Sequence, residues 1–221
     1  MARPEDLREL LGRADLPEGV VWEVSGPVDD LSELFPEERE SIARAVPKRQ
    51  AEFAGGRRAA RAALRQLGLP DGAIPKGADR APVWPEGVVA SITHTEGLCL
   101  AMAARAEDWR GLGIDLEVDR PMRSELIPSI ASLAELARLS PLPFASAGVR
   151  IFSAKEAAYK AQYPLTAALF GFEAIESYLP APEMRMVAEM GLGWGARFPM
   201  VQRADFGLIL SICALPHGKS I

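Results

Sequence analysis

Two carboxylates, Asp115 and Glu117, stand two residues apart in Leu112-Gly113-Ile114-Asp115-Leu116-Glu117-Val118. The alternation is strict, so a strand there puts Leu112, Ile114, Leu116 and Val118 on one face and both acids on the other. Strand rise spaces the two acids about 7 Å apart. Like charges that close repel unless a proton or cation lies between them. Magnesium, or manganese in its place, answers that need: it binds one or two carboxylates and completes its shell with water and phosphate oxygens. The two histidines, His94 and His217, and the two cysteines, Cys99 and Cys213, do not fall at zinc-ligand spacing. Taken alone, the acid pair describes an exposed acidic strand equally well.

Three further groups carry reactive or charged side chains. In Phe152-Ser153-Ala154-Lys155-Glu156-Ala157-Ala158-Tyr159-Lys160, a helix places Glu156 and Lys160 on one face, one turn apart. Ser153 and Glu156 also fit a capping box, and Glu156 with Lys160 a surface ion pair. Lys48, Arg49, Arg57, Arg58, Arg61 and Arg65 crowd one segment. At helical period Arg49, Arg57 and Arg61 point broadly the same way, as a patch for a small anion or as a solvated helix face. Ser91-Ile92-Thr93-His94 ends a strand pattern, where Ser91 and His94 are placed to donate to phosphate oxygens, although a lone histidine is as readily structural.

The elements that must position these groups follow from periodicity and punctuation. A strand is expected over Val20–Val24, a helix from Pro36 to about Ala45, and a second helix from Pro47 to Leu67, stopped by Gly68 and Pro70. Gly55-Gly56 is expected to loosen or break a turn of it. A turn-rich stretch over 70–87 holds Lys76, Pro82, Trp84 and Pro85 and leads into a hairpin of Val88–Thr93 and Leu98–Ala104. Residues 120–148 are rich in Pro, Ser and Ala, with an amphipathic helix around Leu133–Leu139. A helix then begins at Phe152, followed by mostly antiparallel strands over 172–179, 184–190, 196–201 and 206–214. Helix and then strands thus occur twice, which suggests a duplicated architecture without a residue-level repeat.

Composition bounds what such a chain does. At 221 residues and 48% hydrophobic content it can bury a substantial core. Its apolar runs, Leu98–Ala104 and Phe206–Leu215, fall short of the ~20 residues of a membrane-spanning helix. The N-terminus is acidic, with no apolar h-region, so a cytoplasmic protein with free, buried thiols is expected. A net charge of −5 argues against nucleic acid as a partner.

Taken in order, these segments resemble the surfactin-type and enterobactin-synthase-type 4′-phosphopantetheinyl transferases, the long single-chain branch of that superfamily. The resemblance rests on Lys48-Arg49-Gln50-Ala51-Glu52-Phe53 with Arg57 and Arg61, on Pro82-Val83-Trp84-Pro85, and on Ser91-Ile92-Thr93-His94-Thr95. It continues through Gly113-Ile114-Asp115-Leu116-Glu117 and Phe152 to Lys160, followed by Tyr163-Pro164-Leu165. It covers roughly residues 47–172, and the pairing of Gly-Ile-Asp-x-Glu with Lys-Glu-Ala-x-x-Lys is its most specific part.

The resemblance implies an α+β fold of two similar halves related by a pseudo-twofold axis, residues 1–110 and 111–221, with coenzyme A in the cleft between them. By motif position Asp115, Glu117 and Glu156 would hold the magnesium. Arg49, Arg57 and Lys76 would hold the 3′-phosphoadenosine end, and Ser91, His94, Lys155 and Lys160 would surround the phosphates. Glu156 would serve as general base, with Lys155 and Lys160 as the accompanying catalytic residues. The other substrate implied is an acidic apo acyl or peptidyl carrier protein in siderophore, polyketide, nonribosomal peptide or fatty acid synthesis, and a monomer would suffice. Two departures are Gln50, where a second arginine is common, and the 120–148 linker, which follows no family pattern although the family commonly docks its carrier there. Other readings of the same residues are a non-catalytic coenzyme A or carrier-binding module, a metal-dependent nucleotide phosphohydrolase, and an RNA-binding arginine helix.

Overall fold

A computed structural model describes residues 2–218 and shows two antiparallel sheets flanked by helices. The first half contributes helix α1 (Pro4–Gly12), strand β1 (Val21–Ser25), helices α2 (Pro36–Ile42) and α3 (Pro47–Gln66), and strands β2 (Val88–Thr95) and β3 (Leu98–Arg105). Its sheet has the order β1-β3-β2. The second half runs from β4 (Trp109–Val118) through α4 (Leu133–Arg138) and α5 (Phe144–Thr166) to β5 (Ile175–Ser177), β6 (Glu183–Met186), β7 (Arg197–Asp205) and β8 (Leu208–Pro216). Its sheet has the order β4-β8-β7-β6-β5. The first sheet is complete by Arg105 and the second begins at Trp109.

The two sheets meet where β2 lies against β4. Side chains join them: Ser91 Oγ accepts from the Ile114 amide at 3.1 Å and Thr93 Oγ1 from the Leu116 amide at 3.2 Å. Both amides are buried, so without those hydroxyls each would lose a partner it needs. The apolar face of β4, Leu112, Ile114 and Leu116, enters a core shared by both sheets with Leu100, Met102, Leu210 and Ile212. Helix α1 closes this core with Leu7, Leu10 and Leu11. That helix has its own signature, Pro4 at the first position, acids in the first turn and apolar residues at i, i+3 and i+4.

Several expectations need correction. Helix α3 runs unbroken through Gly55-Gly56. These glycines serve packing: a Cβ on Gly55 would meet the Gly26 carbonyl oxygen at 2.3 Å, and one on Gly56 would meet Ile92 Cγ2 at 3.0 Å. Helix α5 starts at Phe144 rather than Phe152, so Ser153 lies inside it and caps nothing. Its hydroxyl instead pairs with Ser211 Oγ at 2.9 Å, and both side chains are buried. The capping box in this region belongs to Ser132 and Glu135 at the start of α4. The strand expected over 172–179 is only β5, preceded by a 3-10 turn at Phe172–Ala174.

Candidate functional site

Helix α5 lies directly on β4, and glycine makes this possible. A Cβ on Gly113 would stand 2.0 Å from the Ala157 carbonyl oxygen, and one on Gly111 would stand 2.3 Å from that of Ala161. The helix answers with its smallest side chains, Ala154, Ala157, Ala158 and Ala161, all buried. Close approach of backbone to backbone at Gly113 sets the next residues in register. Lys160 donates to the Ile114 carbonyl at 3.1 Å and to Asp115 Oδ1 at 2.8 Å. Glu156, one turn earlier, lines the same cleft as Asp115 and Glu117.

That cleft, about 680 Å³, lies between the halves. One wall carries Asp115, Glu117, Glu156 and Lys160, and the other carries Arg49, Arg57, Lys76 and His94. The three acids feel one another. Burial, then Asp115 and Glu156, push Glu117 up to about 7, with Lys160 opposing. Burial also raises Glu156, with Lys160 opposing and Asp115 adding to the rise. Asp115 is 5% exposed, and its Oδ2 is buried without a hydrogen-bond partner. An orphaned carboxylate oxygen is costly, and here it faces a site built of oxygen donors. This chemistry fits a hard divalent cation. Among the described residues no group of three His, Cys, Asp or Glu side chains is arranged to hold a metal ion by itself, so Asp115, Glu117 and Glu156 share the cleft without forming a ready-made site.

The linkage has a measurable sign. With a folded value of about 7 against an ordinary 4.5, Glu117 binds more protons in the folded than in the unfolded chain over that interval. Metal-free protein therefore loses stability as pH rises from 4.5 to about 7 on this account. Added magnesium should accordingly raise Tm more at a pH of about 8 than at about 5.5. An equal gain at both would contradict the site.

On the opposite wall Arg57 is 5% exposed, its Nε donates to the Ile74 carbonyl at 2.7 Å, and its guanidinium stacks on Phe53 at 4.2 Å. Burial lowers it to about 10, against a raising influence of Glu38, so it stays charged at neutral pH. Lys76 donates to the Ser41 carbonyl at 3.4 Å and Arg49 contacts His94. Burial, and then Arg49, push the His94 imidazole below its ordinary value, which favours the neutral ring. Arg61 does not line the cleft; it is held at 2.8 Å by buried Glu38.

Two of the expected phosphate contacts are not brought to the cleft. Ser91 does not line the cleft; its hydroxyl sits at the seam, where it accepts from the Ile114 amide. Lys155 is 2% exposed and, one residue from Glu156, leaves α5 about 100° around its axis. Its ammonium pairs with Glu135 at 2.8 Å and donates to the Ile130 and Phe172 carbonyls at 2.8 and 2.9 Å. Conversely, Arg44, Glu52 and Arg80 line the cleft without having been singled out. Arg80 sits at φ +74° in the turn-rich stretch, where only tertiary structure aims a side chain.

Comparison with known proteins shows the family of the chain. The sequence profile of the 4′-phosphopantetheinyl transferase N-terminal domain matches residues 37–104, and that of the 4′-phosphopantetheinyl transferase superfamily matches residues 111–190. The chain is 44% identical to the 4′-phosphopantetheinyl transferase Svp of Streptomyces mobaraensis, over 73% of this chain and 68% of that protein. It is 44% identical to the 4′-phosphopantetheinyl transferase PptT of Mycobacterium tuberculosis, over 63% of this chain and 62% of that protein. Identity to the enterobactin synthase component D of Salmonella typhi is 40%, over 52% of this chain and 48% of that protein. The chain thus spans from about half to about two thirds of the length of these curated relatives. With both profiles matched in chain order and 44% identity to one relative over 73% of this chain, the chain belongs to the 4′-phosphopantetheinyl transferase superfamily, in the branch that includes enterobactin synthase component D.

Proposed function

We propose that this chain transfers the 4′-phosphopantetheine group of coenzyme A to a serine of an apo acyl or peptidyl carrier protein, releasing adenosine 3′,5′-bisphosphate. The observation that carries the reading is one cleft with three carboxylates and Lys160 on one wall and Arg49, Arg57, Lys76 and His94 on the other. Such a cleft suits a diphosphate at one end and a phosphorylated nucleoside at the other. Arg57, with a planar fork of donors and its Nε already anchored, suits the 3′-phosphate. Lys160 and His94 line the same cleft and would meet the diphosphate oxygens. Asp115, Glu117 and Glu156 would hold magnesium, which when bound supplies positive charge to the diphosphate.

In the transfer itself, the serine oxygen forms a bond to the β-phosphorus, and the bond from that phosphorus to the bridging oxygen breaks. The hydroxyl proton goes to Glu156, whose carboxylate lines the cleft with Asp115 and Glu117. Lys160 stays beside Asp115 throughout and offsets charge near the leaving oxygens. Most of the rate enhancement is then positioning and charge neutralisation, as in other phosphoryl transfers.

The relatives' names connect the family with enterobactin synthesis, which makes siderophore, polyketide or nonribosomal peptide carriers the reasonable first substrates. The direct test incubates the protein with coenzyme A, magnesium and an apo carrier protein, then weighs the carrier intact. A gain of one phosphopantetheine on the carrier is expected, dependent on both coenzyme A and the metal. Release of adenosine bisphosphate with an unmodified carrier would point instead to a hydrolase.

A further inference from the structure

The nucleotide wall of the cleft is held from behind by a side chain that never reaches it. Glu38, in the first turn of α2, is 0% exposed. Its Oε1 accepts from the Ile74 amide at 2.8 Å and from Arg61 at 2.8 Å; its Oε2 accepts from the Phe35 amide at 2.9 Å and again from Arg61 at 3.0 Å. Arg61 also donates to the Glu33 carbonyl at 3.0 Å. One carboxylate therefore ties the start of α2, the middle of α3 and the chain at Ile74 into one buried unit.

Ile74 is where this unit meets the cleft. Its amide is fixed by Glu38, and its carbonyl accepts Arg57 Nε at 2.7 Å. The recorded hydrogen bond of Arg57 uses only Nε, so the terminal nitrogens of the guanidinium remain for whatever enters the cleft. From Ile74 the chain continues into a narrow turn closed by a bridge between Lys76 and Pro82 and by the Val83 amide on the Pro75 carbonyl at 2.9 Å. That turn carries Lys76 and Arg80 into the same cleft. The position of three cationic groups thus follows from the placement of residue 74.

We propose that Glu38 is a positioning residue for recognition of the 3′-phosphate, acting through Ile74 on Arg57 and on the turn bearing Lys76 and Arg80. This rests on the coenzyme A reading above. The carboxylate supplies four acceptor contacts at once, including charge-assisted ones to Arg61, a demand that an amide of the same shape does not meet. In Glu38→Gln the amide nitrogen must face donors on one side, either those of Ile74 and Arg61 or those of Phe35 and Arg61, so the buried unit that fixes Ile74 is broken at one of its joints.

The test compares binding of coenzyme A and of dephospho-coenzyme A, which lacks only the 3′-phosphate, by calorimetry, together with steady-state kinetics. The wild-type chain should prefer coenzyme A. Glu38→Gln should raise the Kd and KM for coenzyme A about tenfold, hardly change those for dephospho-coenzyme A, and leave kcat within about twofold. Its preference between the two ligands should therefore collapse. Glu38→Asp keeps the charge while shortening the reach; if Glu38→Gln does not fold, Glu38→Asp should show the same selective loss of coenzyme A affinity to a smaller degree, with dephospho-coenzyme A hardly changed. Equal loss of affinity for both ligands, or unchanged preference in a folded variant, would overturn the positioning role alone. A wild-type chain that binds neither ligand would overturn the coenzyme A reading and this inference with it.

Discussion

Glu156→Gln should lower turnover by about two to four orders of magnitude while coenzyme A still binds. The substitution preserves shape and removes both the proton acceptor and one negative charge from the cleft. On the proposed reading nucleotide affinity comes from the opposite wall, where Arg57 and Lys76 are anchored by contacts that do not involve α5. Calorimetry on the variant should therefore report adenosine 3′,5′-bisphosphate binding close to that of the wild type. Glu156 has two assigned tasks, holding the metal and taking the serine proton, and a magnesium titration separates them. If the side chain served only to hold metal, saturating magnesium would restore most of the rate. The expected result is a deficit that persists at saturation, because the base is gone. Near-normal turnover in Glu156→Gln would remove the base assignment altogether.

The parts of this site that could be read from sequence are those carried by local periodicity. The two-residue alternation from Leu112 to Val118 sorts the acids from the core, and β4 buries Leu112, Ile114 and Leu116 accordingly. The one-turn spacing of Glu156 and Lys160 survives because α5 is a regular helix there, even though it begins eight residues before the expected start at Phe152. That early start was hidden because Gly148 weakens the helical signal of the first turns, which follow a Pro-rich stretch. The turns concerned are buried on tertiary contacts, with Ala147 and Ile151 in one cluster alongside Leu136.

What sequence spacing does not encode is the partner of each charged group. Ser91 and Lys155 carry the residue types and motif positions of phosphate contacts, yet each is taken up by a group distant in sequence. Glu38 reads as a helix-dipole acid beside Pro36, and only the fold reveals Arg61 and Ile74 on its two oxygens. The glycines show the same limit. Gly55 looks like a break in its helix, whereas it, like Gly113 in β4, is a point where a second backbone comes too close for a Cβ.

Lys155→Met should destabilise the protein by about 3–5 kcal/mol, an effect on folding rather than on chemistry. The ammonium is almost wholly buried, and removing it strands Glu135, itself 5% exposed, with a charge that water cannot reach. The same carboxylate also accepts from the Ser132 amide at 2.8 Å and from the Ser177 amide at 2.9 Å, so its displacement loosens the cap of α4 and the start of the outer strands together. For a chain of this length such a loss corresponds to a fall in Tm of about 10 °C or more. The double variant Lys155→Met, Glu135→Gln removes both charges and leaves an amide oxygen to accept from Ser177, at the cost of the Ser132 contact. It should recover most of the lost stability, giving a coupling energy of more than about 1 kcal/mol in the cycle. Turnover in the refolded double variant decides the role of Lys155. A rate within a few-fold of wild type places the residue in the scaffold that fixes residues 130–135 and 172–177 against α5. A stable double variant that has lost turnover would mean that the ammonium leaves Glu135 to act on the phosphates.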